Sequence, residues 1–586
     1  MIVKNEEAFL PRCLASIRNL VDEIVLVDTG SSDRTLEIAR DFGCRIYQFP
    51  WNGDFSAARN ESLRHATGEW IFVIDADEEI PADNSRKVRS FLDNPQIEII
   101  SLSVYNKSLE TGRVSSFLPS VRFFRRGLGL SYQGIVHNRL ALPSDVPVTR
   151  CDIILYHYGY DQSREKLEDK KARSRQLLER QLQENPDDIF ANFNMAQLLR
   201  GLDGTADEAT CRRIIEYARK VVNSLQRDST GYAGYRLMAL VLLAMALCTM
   251  KRYDEAEDYC VQALADKTDY IDALLVLGNV NLAAGKLSRA RDAYTRYLSA
   301  AAEYVPEKET TDVIIHYLDA DYIARYGLGV IAELEGDLDG ALEHFRRVHE
   351  KMGSYLDIPG RMRVVDARLK LRAADALIRS GRPTDAVAQL KRAIELSGHD
   401  PGIWFDAGNV FFALNDTEAA LSCYQQVALL DPDHPAALTN LGNCYFRMAA
   451  YEKAATIYSQ VLHHHPGQLE AVRNLGVASA RLGDYRQALA TLMVYIQKRP
   501  EDIEILRLTG DLLSVVECQP EAIGCYEKYL THYPHDTECL LNLAEAYYHL
   551  GFIDSASVGF ERVLAVDPAC EAAKQRLALI GRPGIS

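Results

Sequence analysis

The chain has 586 residues, of which 47% are apolar and 25% charged; this is the make-up of a folded globular protein with several domains or one long array. Its 66 Lys and Arg against 82 Asp and Glu leave a net charge of −16, which argues against a general nucleic-acid binder, since phosphate contacts need clustered cations. The 12 Cys include no C-x-x-C pair and read as reduced, buried thiols of a cytoplasmic protein.

In chain order, Lys4, Glu6 and Glu7 interrupt the start, so no signal peptide is expected there. The strand-like run 23–27, apolar after Glu23, leads into D-T-G-S-S-D at 28–33, and the run 70–74 leads into D-A-D-E at 75–78. Short β-branched runs flanked by helical patterns predict parallel strands of an α/β sheet. Ligands of such sheets bind at the carboxyl ends of the strands, where both acidic turns fall. Asp75 and Asp77 can present two hard carboxylates on one side of a turn, a donor set suited to Mn²⁺ or Mg²⁺ holding a diphosphate. The alternative is a solvated turn.

M-I-V-K-N-E-E at 1–7, D-T-G-S-S-D-R-T at 28–35, W-N-G-D-F-S-A-A-R-N at 51–60 and D-A-D-E at 75–78 resemble, in order and spacing, the family 2 glycosyltransferases of the GT-A fold. The resemblance covers residues 1 to 160 and implies a GT-A, Rossmann-like α/β domain that binds a nucleotide sugar, taken here as a UDP-sugar, and inverts at the anomeric carbon. It implies that the first strand and following turn, with Val3, Asn5 and Glu7, hold the nucleotide together with Asp28, Ser31 and Asp33. Asp75 would serve the ribose and Asp77 the metal. Strand-end capping is the competing role for these carboxylates. The Arg59 fork suits a phosphate, with a salt bridge to Asp54 as the alternative.

Two later segments bear on chemistry. His157 follows the apolar run 153–155; the resemblance implies a late histidine that completes the metal site, and a packed histidine at a domain junction is the alternative. At 134–138 the chain reads G-I-V-H-N, where relatives often carry His-Glu with Glu as base. The Asn138 amide cannot take a proton at neutral pH, so His137, Asp152 or a self-ionising acceptor must serve.

Residues 161–186 are charged and Leu-spaced and predict a connecting helix. The stretch 237–250 is apolar but shorter than the roughly 20 residues a bilayer span needs; no transmembrane segment is expected, and a peripheral membrane contact stays open. Pro432, Pro466, Pro500, Pro534 and Pro568 recur every 34 residues, as do Gly408, Gly442, Gly476 and Gly510. That period is the mark of the tetratricopeptide repeat and predicts an all-α superhelix over 187–580, with about nine or ten repeats. Asn440, Asn474 and Asn542 share one repeat position, and Asn194 is the distant equivalent. The position predicts an inner-groove ladder for an extended acceptor backbone, resembling the groove of the eukaryotic O-linked N-acetylglucosamine transferase; helix-end hydrogen bonding is the alternative. The combined expectation is a glycosyltransferase acting on a peptide or protein brought by the array. Competing readings are envelope or lipopolysaccharide-type glycan synthesis with the array as a docking platform, and a non-catalytic scaffold.

Overall fold

The computed structural model describes residues 1–134, 139–143, 145–159, 164–201, 207–225, 233–305, 308, 313–397 and 399–581. The N-terminal part alternates strands and helices: β1 (Ile2–Val3), α1 (Leu10–Ile17), β2 (Val25–Asp28), α2 (Thr35–Asp41), β3 (Arg45–Gln48), α3 (Phe55–His65), β4 (Trp70–Phe72), β5 (Glu78–Glu79) and α4 (Ala82–Leu92). β6 (Ile99–Lys107), β7 (Val114–Arg125), β8 (Tyr132–Gln133), β9 (Arg139–Leu140) and β10 (Val148–His157) follow. β1, β2 and β3 form a parallel sheet, with Val3 opposite Asp28. β4 departs from the expected parallel arrangement. It pairs antiparallel with β7 in a mixed sheet of order β4-β7-β6-β10-β5, because β7 returns beside β6 as a hairpin. Leu10, Leu14 and Ile17 of α1 pack on Leu26, Ile100, Leu102, Ile153 and Leu155 of the strands, which is the apolar helix stripe meeting the buried sheet face.

Helix α5 (Arg164–Glu184) leads into the repeats. Leu178 on it is buried against Ala191 and Met195, and the Arg173 guanidinium lies 5.9 Å from the Phe55 ring of α3. Among the described residues, ten helical hairpins run from Ile189 to Val566, and the helix Glu571–Ile580 ends the series. The 34-residue pattern has a steric basis. A Cβ on Gly442 would lie 2.4 Å from the Tyr458 ring, and one on Gly408 2.8 Å from Tyr424, so only glycine lets the paired helices approach. Ala420, Ala454, Ala488, Ala522 and Ala556 are all buried for the same reason.

Compactness divides the chain into 1–358 and 359–586 rather than at the end of the sheet domain. In the first unit, Phe117 of β7 exchanges two backbone hydrogen bonds with Ile315 of the repeat region, at 2.8 and 2.9 Å. The Phe117 side chain has 0% exposure and belongs to the apolar core of the first repeats, beside Tyr304. Removing it leaves a cavity on the repeat side. Phe117→Ala is expected to cost about 3–5 kcal/mol, read as a lower denaturation midpoint and as faster hydrogen exchange across 313–317, with exchange in 401–580 unchanged.

Candidate functional site

The first acidic turn is laced by its own side chains. The Asp28 carboxylate, 1% exposed, accepts from the Gly30 and Ser31 amides at 3.3 and 3.0 Å. Asn5 has φ 57°; its carbonyl oxygen accepts from the Ser32 amide at 2.7 Å, and its own amide donates to Ser31 Oγ at 3.0 Å. Asp33 accepts from Thr35 and from the Glu7 amide, while Glu7 accepts from the Arg34 amide. Burial pushes the Asp33 carboxyl up, but the Thr35 and Glu7 hydrogen bonds outweigh it and hold the group below the usual carboxylate range. Val3 is buried next to Asp28 in register. These residues build one rigid surface at the carboxyl ends of β1 and β2.

The second turn stands on buried charge. Arg59 of α3 pairs with Asp75 at 2.7 Å, and Arg122 of β7 pairs with Glu78 at 2.6 Å. Glu78 also accepts from the Asp75 amide at 2.8 Å. Arg59 therefore pairs with Asp75 and not with Asp54, whose carboxylate caps α3 by accepting from the Ala57 amide. Its fork lies partly inside the protein, committed to a carboxylate. Burial opposes ionisation of Asp75, yet Arg59 and then Arg122 hold its carboxyl down at about 2. Burial pushes Glu78 up to about 7 against the pull of Arg122.

Strand register brings the next residues together. Glu78 of β5, His157 of β10, Asn106 of β6 and Ser116 of β7 lie opposite one another across four strands. His157 Nδ1 lies 2.5 Å from the Asn106 carbonyl oxygen, and the Asn106 amide donates to Ser116 Oγ at 2.5 Å. His157 Nε2 then faces Asp77 Oδ2 at 3.3 Å. Burial disfavours the imidazolium, but the Asp77 carboxylate outweighs it and raises the His157 pKa above its ordinary value. The Tyr158 amide donates to the Asp77 carbonyl at 2.9 Å. A Cβ on Gly159 would come within 2.4 Å of Asp77 Oδ2 and 2.5 Å of His157 Nε2, so Y-H-Y-G-Y needs its glycine. Among the described residues no three His, Cys, Asp or Glu side chains converge as a metal cage; Asp77 and His157 stand side by side as one carboxylate and one imidazole. Arg122, Asn106 and Ser116 carry no motif signal.

Residues 1–138 match the model of glycosyl transferase family 2. Tetratricopeptide repeat models match 238–306, 313–354 and 371–421, then 408–448 and 449–512. The chain joins a family 2 glycosyl transferase domain to a tetratricopeptide repeat array. The SPbeta prophage-derived glycosyltransferase SunS of Bacillus subtilis (strain 168) is 29% identical over 282 residues, 47% of this chain and 61% of its own. A TPR repeat-containing protein of Synechococcus elongatus is 38% identical over 208 residues, 34% of this chain and 51% of its own. The chain thus spans about half to three fifths of the length of these curated relatives. YrrB, a solved TPR protein, is 20% identical with a TM-score of 0.30, covering 32% of this chain and 96% of its own.

The two candidate bases stand apart from the Asp77–His157 pair or outside the described residues. Asp152 is set away from it. It points outward between buried Cys151 and Ile153, pairs with Lys87 at 2.5 Å, and lies five residues along β10 from His157, roughly 16 Å at the rise of a strand. His137 and Asn138 lie outside the described residues.

In the array, the amide donors of the asparagine ladder are already engaged. Asn440 donates to the Asn409 carbonyl oxygen at 2.9 Å, and Tyr424 OH donates to the same atom at 2.8 Å. Asn474 and Tyr458 converge likewise on Asn443, and Asn542 and Tyr526 on Asp511. Asn194 donates to the Phe190 carbonyl of its own helix. Other interfaces fill the same positions differently. Val477, Leu492 and Leu508 pack together at one, and at another Arg576 donates to Glu545 at 2.8 Å beside the buried Phe560 ring. Where the asparagines occur, their bonds reach the preceding repeat, so they act as staples between successive repeats.

Two outcomes follow from these contacts. Arg122→Gln leaves Glu78 buried without its cation and is expected to destabilise the first unit by about 3–5 kcal/mol; the double variant with Glu78→Gln should recover part of that loss in urea denaturation. Asn440→Ala is expected to cost the second unit about 1–2 kcal/mol. Leu508→Asn should also destabilise it, because it sets an amide against the apolar cluster of Val477 and Leu492; equilibrium denaturation of both variants checks the pair.

Proposed function

We propose that this chain transfers a sugar from a nucleotide donor, a UDP-sugar, to a peptide or protein acceptor gathered by the repeats. The observation that carries the reading is the Asp77–His157 pair at the end of the acidic turn, with His157 oriented from behind by Asn106. A carboxylate oxygen beside an imidazole nitrogen whose other nitrogen is tied to an amide carbonyl is the donor chemistry of a divalent-metal site with its supporting shell. Asp77 and His157 would hold Mn²⁺ or Mg²⁺, leaving further coordination positions to diphosphate oxygens and water. Bound there, the ion offsets the charge of the departing nucleoside diphosphate.

The chain's own residues do the rest. The laced turn 28–33 supplies a preorganised wall for the nucleotide, and Arg59 and Arg122 fix Asp75 and Glu78 so that the turn keeps its shape. Displacement at the anomeric carbon by direct attack inverts it. Deprotonation of the acceptor falls to His137 or to an acceptor that ionises itself. Support for a peptide acceptor is the repeat array, since stacked helical repeats as a class present extended surfaces for binding. With the asparagine amides engaged between repeats, other groove side chains make the contact. A cytoplasmic setting agrees with the 12 free thiols, and no helix among the described residues is long and apolar enough to cross a membrane.

Titration of the full chain with UDP tests the reading. UDP binding is expected to need Mn²⁺ or Mg²⁺ and to weaken about 100-fold in Asp77→Ala while the melting profile of the second unit is kept. Equal affinity in that variant, or undiminished binding in EDTA, overturns the metal assignment.

A further inference from the structure

The contact between β7 and the repeats reaches the donor site. The segment 313–317 is held on the array side by Asp272, which is 1% exposed and lies on the helix Ile271–Ala283. Its carboxylate accepts from the His316 amide at 3.0 and 3.1 Å, from the Tyr317 amide at 3.0 Å, and stands 3.1 Å from His316 Nδ1. Val313 and Ile315 are fully buried. The segment is therefore clamped, and it is bridged to the sheet by the reciprocal pair of hydrogen bonds between Ile315 and Phe117.

Phe117 is the neighbour of Ser116. In register, the row holding Ile315 and Phe117 continues through Tyr105 of β6 and Tyr156 of β10. The adjacent row is Ser116, Asn106 and His157. Ser116 Oγ takes the Asn106 amide, and Asn106 in turn receives His157 Nδ1. Each link is a short, directional contact between buried or half-buried groups, and adjacent rows of one sheet cannot shift independently.

We propose that Asp272 and the 313–317 segment are positioning elements of the donor site: the repeat array extends the catalytic sheet at Phe117 and, through Ser116 and Asn106, sets where His157 Nε2 points. The inference rests on the metal-dependent donor binding proposed above. It makes the first repeats a structural part of the transferase as well as a platform for its acceptor. It also separates two effects that ordinary destabilisation would mix. Loosening the clamp must weaken the metal-dependent part of nucleotide binding and leave the metal-independent part alone, because the nucleotide wall at 28–33 is built by other contacts.

The test uses the full chain, UDP and Mn²⁺, with binding measured by calorimetry in Mn²⁺ and in EDTA. Hydrogen exchange at 113–119 and 313–317 reports the bridge. Asp272→Asn is expected to speed exchange in both segments and to weaken Mn²⁺-dependent UDP binding about fivefold, with the residual affinity in EDTA unchanged. Ser116→Ala is expected to give the same loss with exchange at 313–317 unaltered, since it cuts the path beyond the bridge. Ser116→Thr, which keeps the hydroxyl, should restore affinity. If the parent binds UDP with Mn²⁺ and both loss variants bind it equally well, the positioning role is overturned while the proposed function stands; the same holds if the losses are equal in Mn²⁺ and EDTA. If the parent shows no Mn²⁺-dependent UDP binding, the proposed function fails and this inference falls with it.

Discussion

The register of β10 against β6 and of β6 against β7 is the constraint on which the site depends. Once Tyr156 faces Tyr105 and Tyr105 faces Phe117, the next residues of each strand, His157, Asn106 and Ser116, are brought side by side. A slip of one residue in any pairing would turn the imidazole to the opposite face of the sheet. Apolar alternation guards against that slip. Ile153 and Leu155 of β10 and Leu102 and Val104 of β6 must all reach the same core, so the register that buries them is also the one that builds the row.

Beneath the acidic turn the sheet domain gathers the buried Glu78 with the half-buried Arg59, Asp75 and Arg122. An isolated charge in such a place is strongly unfavourable, and a paired one is tolerated only when its geometry is good. Here each carboxylate has its guanidinium, and Glu78 adds a hydrogen bond to the backbone of the turn it supports. The arrangement trades stability for shape. It fixes the peptide groups of 75–78, so that Asp77 leaves the turn toward His157 while its carbonyl receives the Tyr158 amide. A hydrophobic core of equal volume could not orient a turn in this way.

The repeats use a related device without charge, except at Asp511. A tyrosine from the second helix of one hairpin and an asparagine from the first helix of the next share one acceptor. This satisfies buried polar atoms and sets the angle between neighbours. The apolar set Val477, Leu492 and Leu508 and the Arg576–Glu545 pair beside Phe560 show that the same positions accept other solutions, provided that a buried polar atom finds its partner. In a stack where each repeat touches its neighbours, such a contact governs local stability more than any surface feature.

How much of this was legible in the sequence divides along physical lines. Local and periodic signals sufficed for the two fold classes: the 34-residue spacing of glycine, alanine and proline records helix packing that repeats, and the motifs at 28–33 and 75–78 mark turns after buried strands. Asp77 and His157 were singled out by the resemblance to family 2 glycosyltransferases, and the structure sets the two side by side. Sequence by itself did not determine what the asparagines bond to, where Asp152 points, or that Arg59 meets Asp75 and not Asp54, since each depends on which face a strand or helix turns inward and what lies across from it. Nor did it disclose Arg122, Asn106, Ser116 and Asp272. These act through cross-strand neighbours and through a backbone bridge between residues 198 positions apart, Phe117 and Ile315. Only tertiary structure decides such contacts, because they are fixed by the lateral register of strands and the burial of Phe117 among the repeats, and neither leaves a period or a motif in the chain.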